Sequence, residues 1–149
     1  MYIYFAGDHA GFEMKEKLME FVRSLGYEVF DMGPKVYDET DDYPDFVLPL
    51  ARKIALEKET RGIVVAASGQ GEIIAMNRIR GARAALLCAG PQRVALIRAS
   101  RDHNDSNILA IGARFCTLDE AKQGIQMWLE TPFSNAERHL RRLRKIDSL

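Results

Sequence analysis

Ile63-Val-Val-Ala-Ala67 and Ala84-Ala-Leu-Leu-Cys-Ala89 run on without a polar residue in alternation. A strand with one wet face alternates apolar with polar, whereas a strand covered by helices on both faces is apolar throughout. Each run is too short for a stable helix and is bounded by Gly, Asp or Asn. Three further candidates, Tyr2 to Ala6, Tyr27 to Met32 and Asn107 to Ile111, join Gly62 to Ala67 and Ala84 to Cys88 as strands. Longer stretches of helical period separate them, which is the mark of repeated strand-helix-strand units and a parallel sheet. The expectation is five strands and about six helices in one three-layer α/β domain over residues 1–149.

The helices show themselves by spacing and by their ends. Met14, Leu18, Phe21, Val22 and Leu25 share one face, and Gly26 is placed to end that helix. Pro44 suits the first turn of a second helix, where its missing N–H has no intrahelical partner to lose. Leu118, Ala121, Ile125, Trp128 and Leu129 form a stripe behind Thr117 as N-cap, with Trp128 as a core anchor. A last helix, at about 133–147, carries Arg138, His139, Arg141, Arg142, Arg144 and Lys145, with Leu140 and Leu143 as its main apolar residues. So narrow an apolar face gives little reason to fold onto its own domain, and a partner chain would supply the missing contacts.

Charge and length exclude several classes. Lys plus Arg number 21 and Asp plus Glu number 21, so nothing draws the chain to nucleic acid or to an anionic membrane. No apolar run approaches the roughly 20 residues that span a bilayer. The first residues read as a strand and not as a signal peptide, so a cytoplasmic protein is expected. Cys88 and Cys116 read as small buried hydrophobes and not as a disulfide. The three histidines show no metal-ligand spacing, so neither metal nor cofactor is expected. The acidic run Asp38, Glu39, Asp41 and Asp42 reads as an exposed loop, and Asp31 as a turn residue.

In parallel sheets, ligands bind beyond the carboxyl ends of the strands. Ser68-Gly-Gln-Gly-Glu72 follows the third strand, and its close glycines let successive N–H groups converge on an anion. Ile74 stands where a dinucleotide fingerprint needs a third glycine. Glu72 opens the next helix, either as a base beside that anion or as a first-turn acid favoured by the helix dipole. His9 and His103 are read as lying in ligand-end loops among Asp and Asn, suited to proton transfer. Arg138 and Arg142, four apart on a helix, share a face and can grip one phosphate, unless that face is merely solvated.

Together, Gly7-Asp-His-Ala-Gly11, Asp42-Tyr-Pro44, Ser68-Gly-Gln-Gly-Glu72, His103-Asn104, Gly112-Ala-Arg114 and Arg138-His-x-x-Arg142 resemble, in order and over essentially the whole chain, ribose-5-phosphate isomerases of type B. The resemblance implies a Rossmann-like sandwich and a homodimer with shared active sites, or a tetramer. It also implies metal-free aldose–ketose isomerisation of a phosphorylated sugar through a cis-enediolate. Ala66 stands where many members carry a catalytic cysteine, and Glu72 matches the branch that uses a glutamate base. The resemblance gives His103 ring opening with Asp8 assisting, and the N–H groups of Ala67, Ser68, Gly69, Gln70 and Gly71 the enediolate. It gives His9, Arg114, Arg138 and Arg142 the phosphate, and Asn104 and Ser68 the sugar hydroxyls or the base. Related readings are an isomerase of six-carbon sugar phosphates, such as allose or galactose 6-phosphate, and a non-catalytic sugar-phosphate-binding module.

Overall fold

The computed structural model describes residues 1–148 and shows five parallel strands between two layers of helices. In chain order, β1 (Tyr2–Gly7) leads through a short 3-10 turn (His9–Gly11) into α1 (Phe12–Ser24), followed by β2 (Glu28–Asp31) and α2 (Pro44–Leu56). Then come β3 (Thr60–Ala66), α3 (Gln70–Met76), β4 (Ala84–Leu87), α4 (Arg93–Asp102), β5 (Ile108–Gly112), α5 (Leu118–Glu130) and α6 (Glu137–Asp147). The strand order is β2-β1-β3-β5-β4, every neighbour parallel. All five expected strands are present, with ends shifted by up to two residues.

The absence of polar alternation has its expected cause, because the two faces of each central strand feed different cores. Ile3, Phe5, Ile63, Val65, Leu109 and Ile111 face Leu18, Val22, Ile97, Ile125 and Trp128 of α1, α4 and α5. Ala6, Val64, Ile108 and Ala110 face Val47, Leu50, Ile54 and Met76 of α2 and α3. Trp128 is fully buried and donates its indole N–H to Ser106 Oγ at 2.8 Å, satisfying its one polar atom.

The boundary signals read from the sequence hold in detail. Gly26 adopts φ +90° after α1, Pro44 is the first residue of α2, and Thr117 caps α5 in a reciprocal capping box with Glu120. Two expectations need correction. Cys88 is half-buried, whereas Cys116 is buried, and both are free. The last helix begins at Glu137, because Pro132 to Ala136 run as a non-helical connector in which Asn135 takes φ +54°. Of that helix, His139 and Leu143 are buried, while Ile146 stays exposed.

Candidate active site

Strand order decides where a ligand can enter. From β1 the chain crosses to β2 on one side, and β3 then lies on the other side, so the carboxyl ends of β1 and β3 flank a topological switch point. The register pairs Gly7 with Val65 and Ala66 with Gly112, so the loops beginning at Asp8, Ala67 and Ala113 leave the sheet at one edge.

Asp8 is buried, and its Oδ1 accepts the N–H groups of Ala10 at 3.0 Å and Gly11 at 3.3 Å, capping the 3-10 turn. Gly11 lets this turn lie on β3: a Cβ there would stand 2.0 Å from the Val65 carbonyl oxygen. The Ser68–Glu72 loop is equally shaped by absent side chains. Gly69 sits at φ +79°, in the left-handed region open to glycine, and a Cβ on Gly112 would meet Ser68 O at 2.7 Å. A Cβ on Gly71 would lie 2.8 Å from the Tyr43 hydroxyl, so Tyr43 covers this loop closely.

Glu72 falls in the first turn of α3, with Gly69 as N-cap, where the opening N–H groups have no carbonyl four residues back. Its side chain is 4% exposed. Burial pushes its carboxyl above the usual glutamate range; its own backbone N–H opposes this, and the Asp8 charge adds to it. A carboxylate so placed is a stronger base than an exposed one and lies within electrostatic reach of Asp8.

His9 lies beside Asp8 in the same loop. Its Nδ1 is 2.7 Å from Asp41 Oδ1, and its backbone N–H donates to the same oxygen at 3.1 Å. The hydrogen bond to Asp41 is the largest influence holding His9 above the usual imidazole range; burial opposes it, Asp8 supports it and Arg114 opposes it. Arg114 is thus brought to this end, as expected. Asp41 is the residue that sequence reasoning missed. In place of an exposed loop acid, it has a side chain only 8% exposed, at the end of a turn in which Asp38 accepts from Thr40. Asp8, His9 and Asp41 are also the group of possible metal donors among the described residues, with ligand atoms within 4.8 Å of one another. One of those donors, His9 Nδ1, is already committed to Asp41.

His103 and Asn104 are elsewhere. Helices in this fold run back against the strands, so the residues after α4 lie at the amino end of β5. β5 has five residues, so about 17 Å of strand separates them from the Ser68 loop at its carboxyl end. The reading of His103 as a ligand-end residue is therefore corrected: position before a strand, not after one, decides the end. Asn104 follows it. His103 gathers instead with the last helix, its ring centroid 4.6 Å from that of His139. Arg138 Nε donates to His139 Nε2 at 3.0 Å, Ser134 Oγ is 2.7 Å from His139 Nδ1, and Asp102 Oδ2 is 3.1 Å from His103 Nε2. Burial, then Arg138, His103 and Arg142, hold His139 below the usual imidazole range, with Asp102 opposing. Arg138 and Arg142 are exposed beside it. One chain thus carries two half-constellations, at opposite ends of its sheet.

Among proteins of known identity, the chain is 39% identical over 143 residues to ribose-5-phosphate isomerase B of Mycobacterium tuberculosis, covering 96% of this chain and 86% of that protein. It superposes on the crystal structure of ribose-5-phosphate isomerase B from Mycoplasma genitalium with bound ribulose-5-phosphate at a TM-score of 0.91 and 31% identity, over 99% of this chain and 94% of that one. With the enzyme of the same name from Clostridium thermocellum the TM-score is 0.89 and the identity 40%, over 99% and 96% of the two chains. The family model described as Ribose/Galactose Isomerase matches residues 3–146, which span both half-constellations. The chain belongs to the ribose/galactose isomerase family.

Proposed function

We propose that this protein interconverts ribose 5-phosphate and ribulose 5-phosphate, with Glu72 as the base and with each active site shared between two copies of the chain. The observation that carries the reading is a buried glutamate in the first turn of α3, behind a loop shaped by Gly69 and Gly71, within electrostatic reach of Asp8 and at the switch point of the sheet. The names of the relatives, and the ribulose-5-phosphate bound in the Mycoplasma genitalium structure, support the substrate class.

The chemistry moves protons only. His103 of the second chain exchanges a proton with the ring oxygen and anomeric hydroxyl to open the furanose, with Asp8 assisting. Glu72 then takes the proton from C2 of the aldose and returns it to C1, and in reverse takes it from C1 of the ketose. The negative oxygen of the cis-enediolate accepts from N–H groups of Ala67, Ser68, Gly69, Gln70 and Gly71, fixed donors that need no reorganisation. His9 and Arg114, with Arg138 and Arg142 of the second chain, hold the phosphate; Ser68 and the second chain's Asn104 bind sugar hydroxyls.

Two features favour the shared site. His103 and Glu72 stand at opposite ends of one sheet, so His103 can meet Glu72 only when it comes from a second chain. Ile74, on α3, and Phe115, in the loop after β5, are 67% and 68% exposed, and a partner would cover them. The test is NMR of ribose 5-phosphate in deuterated water, with a chelator and no added metal. Ketose should form and deuterium should enter the exchanging carbon. No conversion and no exchange in the wild type overturns the reading.

A further inference from the structure

Asp41 has a feature that the reaction leaves unused. Its Oδ1 accepts the backbone N–H of His9 at 3.1 Å and lies 2.7 Å from His9 Nδ1, yet its Oδ2 is buried without a hydrogen-bond partner. A buried carboxylate oxygen left unpaired is costly, and such orphans in a native fold call for an explanation. The loop is built to keep it there: Asp41 N–H donates to Asp38 O at 3.2 Å, and Asp38 Oδ1 accepts from Thr40 N–H and Oγ1. The His9 and Tyr37 rings stand near-perpendicular with centroids 6.3 Å apart, and Tyr37 meets Phe12 in the same T-shaped way. The imidazole is thus held by its backbone, by one ring nitrogen and by its contact with Tyr37. Its Nε2 makes no hydrogen bond among the described residues.

We infer that Asp41 is a positioning residue for phosphate recognition: it fixes the His9 proton on Nδ1, so that Nε2–H of an imidazolium is presented to the phosphate group of the sugar. The inference rests on the isomerase reading for the identity of the ligand, but not for the behaviour of His9 itself. A carboxylate is required because an amide in the same place can accept the same N–H without holding the second proton on the ring. The charged groups facing His9 are Asp8 and Asp38 as well as Asp41, opposed by Arg114. Neither Asp8 nor Asp38 is hydrogen-bonded to the ring, so the tautomer is assigned to Asp41.

The experiment compares the full-length wild type with Asp41→Asn, with Asp41→Glu as the conservative control. The first arm follows the His9 ring nitrogens by 15N NMR in the free protein as pH is varied. Asp41→Asn should lower the His9 pKa and lose the Nδ1–H preference, and Asp41→Glu should recover part of both. The second arm measures inorganic phosphate as a competing ligand and ribose 5-phosphate as substrate. Inhibition by phosphate should weaken and KM should rise about tenfold, as for loss of one charge-assisted contact, with a smaller change in kcat. An unchanged His9 titration and tautomer in folded Asp41→Asn overturns the inference, as does a loss confined to kcat. If the wild type does not isomerise ribose 5-phosphate, the isomerase reading fails, while the titration and phosphate arms still decide the role of Asp41.

Discussion

Glu72 is held in a place that disfavours its charge. Burial and the nearby Asp8 raise its pKa above the ordinary glutamate range, and a base must be ionised to act. The acid limb of kcat/KM should therefore fall as pH drops through a value above about 4.3, the unperturbed glutamate pKa, and a limb at or below that value would show that Glu72 is not the titrating base. The same shift has a sign for stability. The native state holds the proton more tightly than the unfolded chain, so Glu72 costs stability increasingly as pH rises from the unfolded to the folded pKa. Glu72→Gln should abolish turnover and, at neutral pH, raise unfolding stability on the order of 1 kcal/mol, a gain that disappears in acid. Chemical denaturation at two pH values checks this; a Glu72→Gln protein that turns over normally contradicts the assignment. Glu72 and its glycines were legible in the sequence because a cradle is local. Asp41 was not: its contact with His9 spans 32 positions, and an acid in a polar run looks solvated until the turn is folded.

At the scale of elements, the ends of helices were the most legible features, since caps are written in adjacent residues. Thr117 with Glu120, Pro44 and Gly26 each act where their chemistry places them. Asp31 was read only as a turn residue, and it is that, accepting the Gly33 N–H at 2.8 Å. It also accepts from the fully buried Lys15 of α1 at 2.7 Å, a tie between α1 and β2 that no pattern of spacing announces. Burial alone would raise the Asp31 pKa, but Lys15, Gly33 N–H and Lys35 together hold it below the usual carboxylate range. The stability this gives is present above the unfolded aspartate pKa and is lost as pH falls through the lower folded one. Asp31→Asn, which leaves the buried Lys15 ammonium with only the exposed Glu16 carboxylate at 2.9 Å as ionic partner, should cost about 3 kcal/mol, whereas Lys15→Met combined with it should recover most of the loss. Equal losses in the single and double variants by denaturant unfolding would contradict this coupling.

At the scale of the whole molecule, the layered parallel sheet was legible because strands buried twice leave an unmistakable composition. A divided site was expected only from the family resemblance, and spacing alone misplaced one part of it: His103 was read at the ligand end, although it precedes its strand while Asp8 and Ser68 follow theirs. The consequence is that a single copy holds Glu72 at one end and His103, with Arg138 and Arg142, at the other. The most direct test mixes Glu72→Gln chains with His103→Ala chains, each inactive alone, under conditions where subunit exchange is shown by mass. Random pairing in a twofold dimer makes half the molecules hybrids with one intact site of two, so roughly a quarter of wild-type activity should return. No return of activity among demonstrated hybrids would contradict a site shared between two chains.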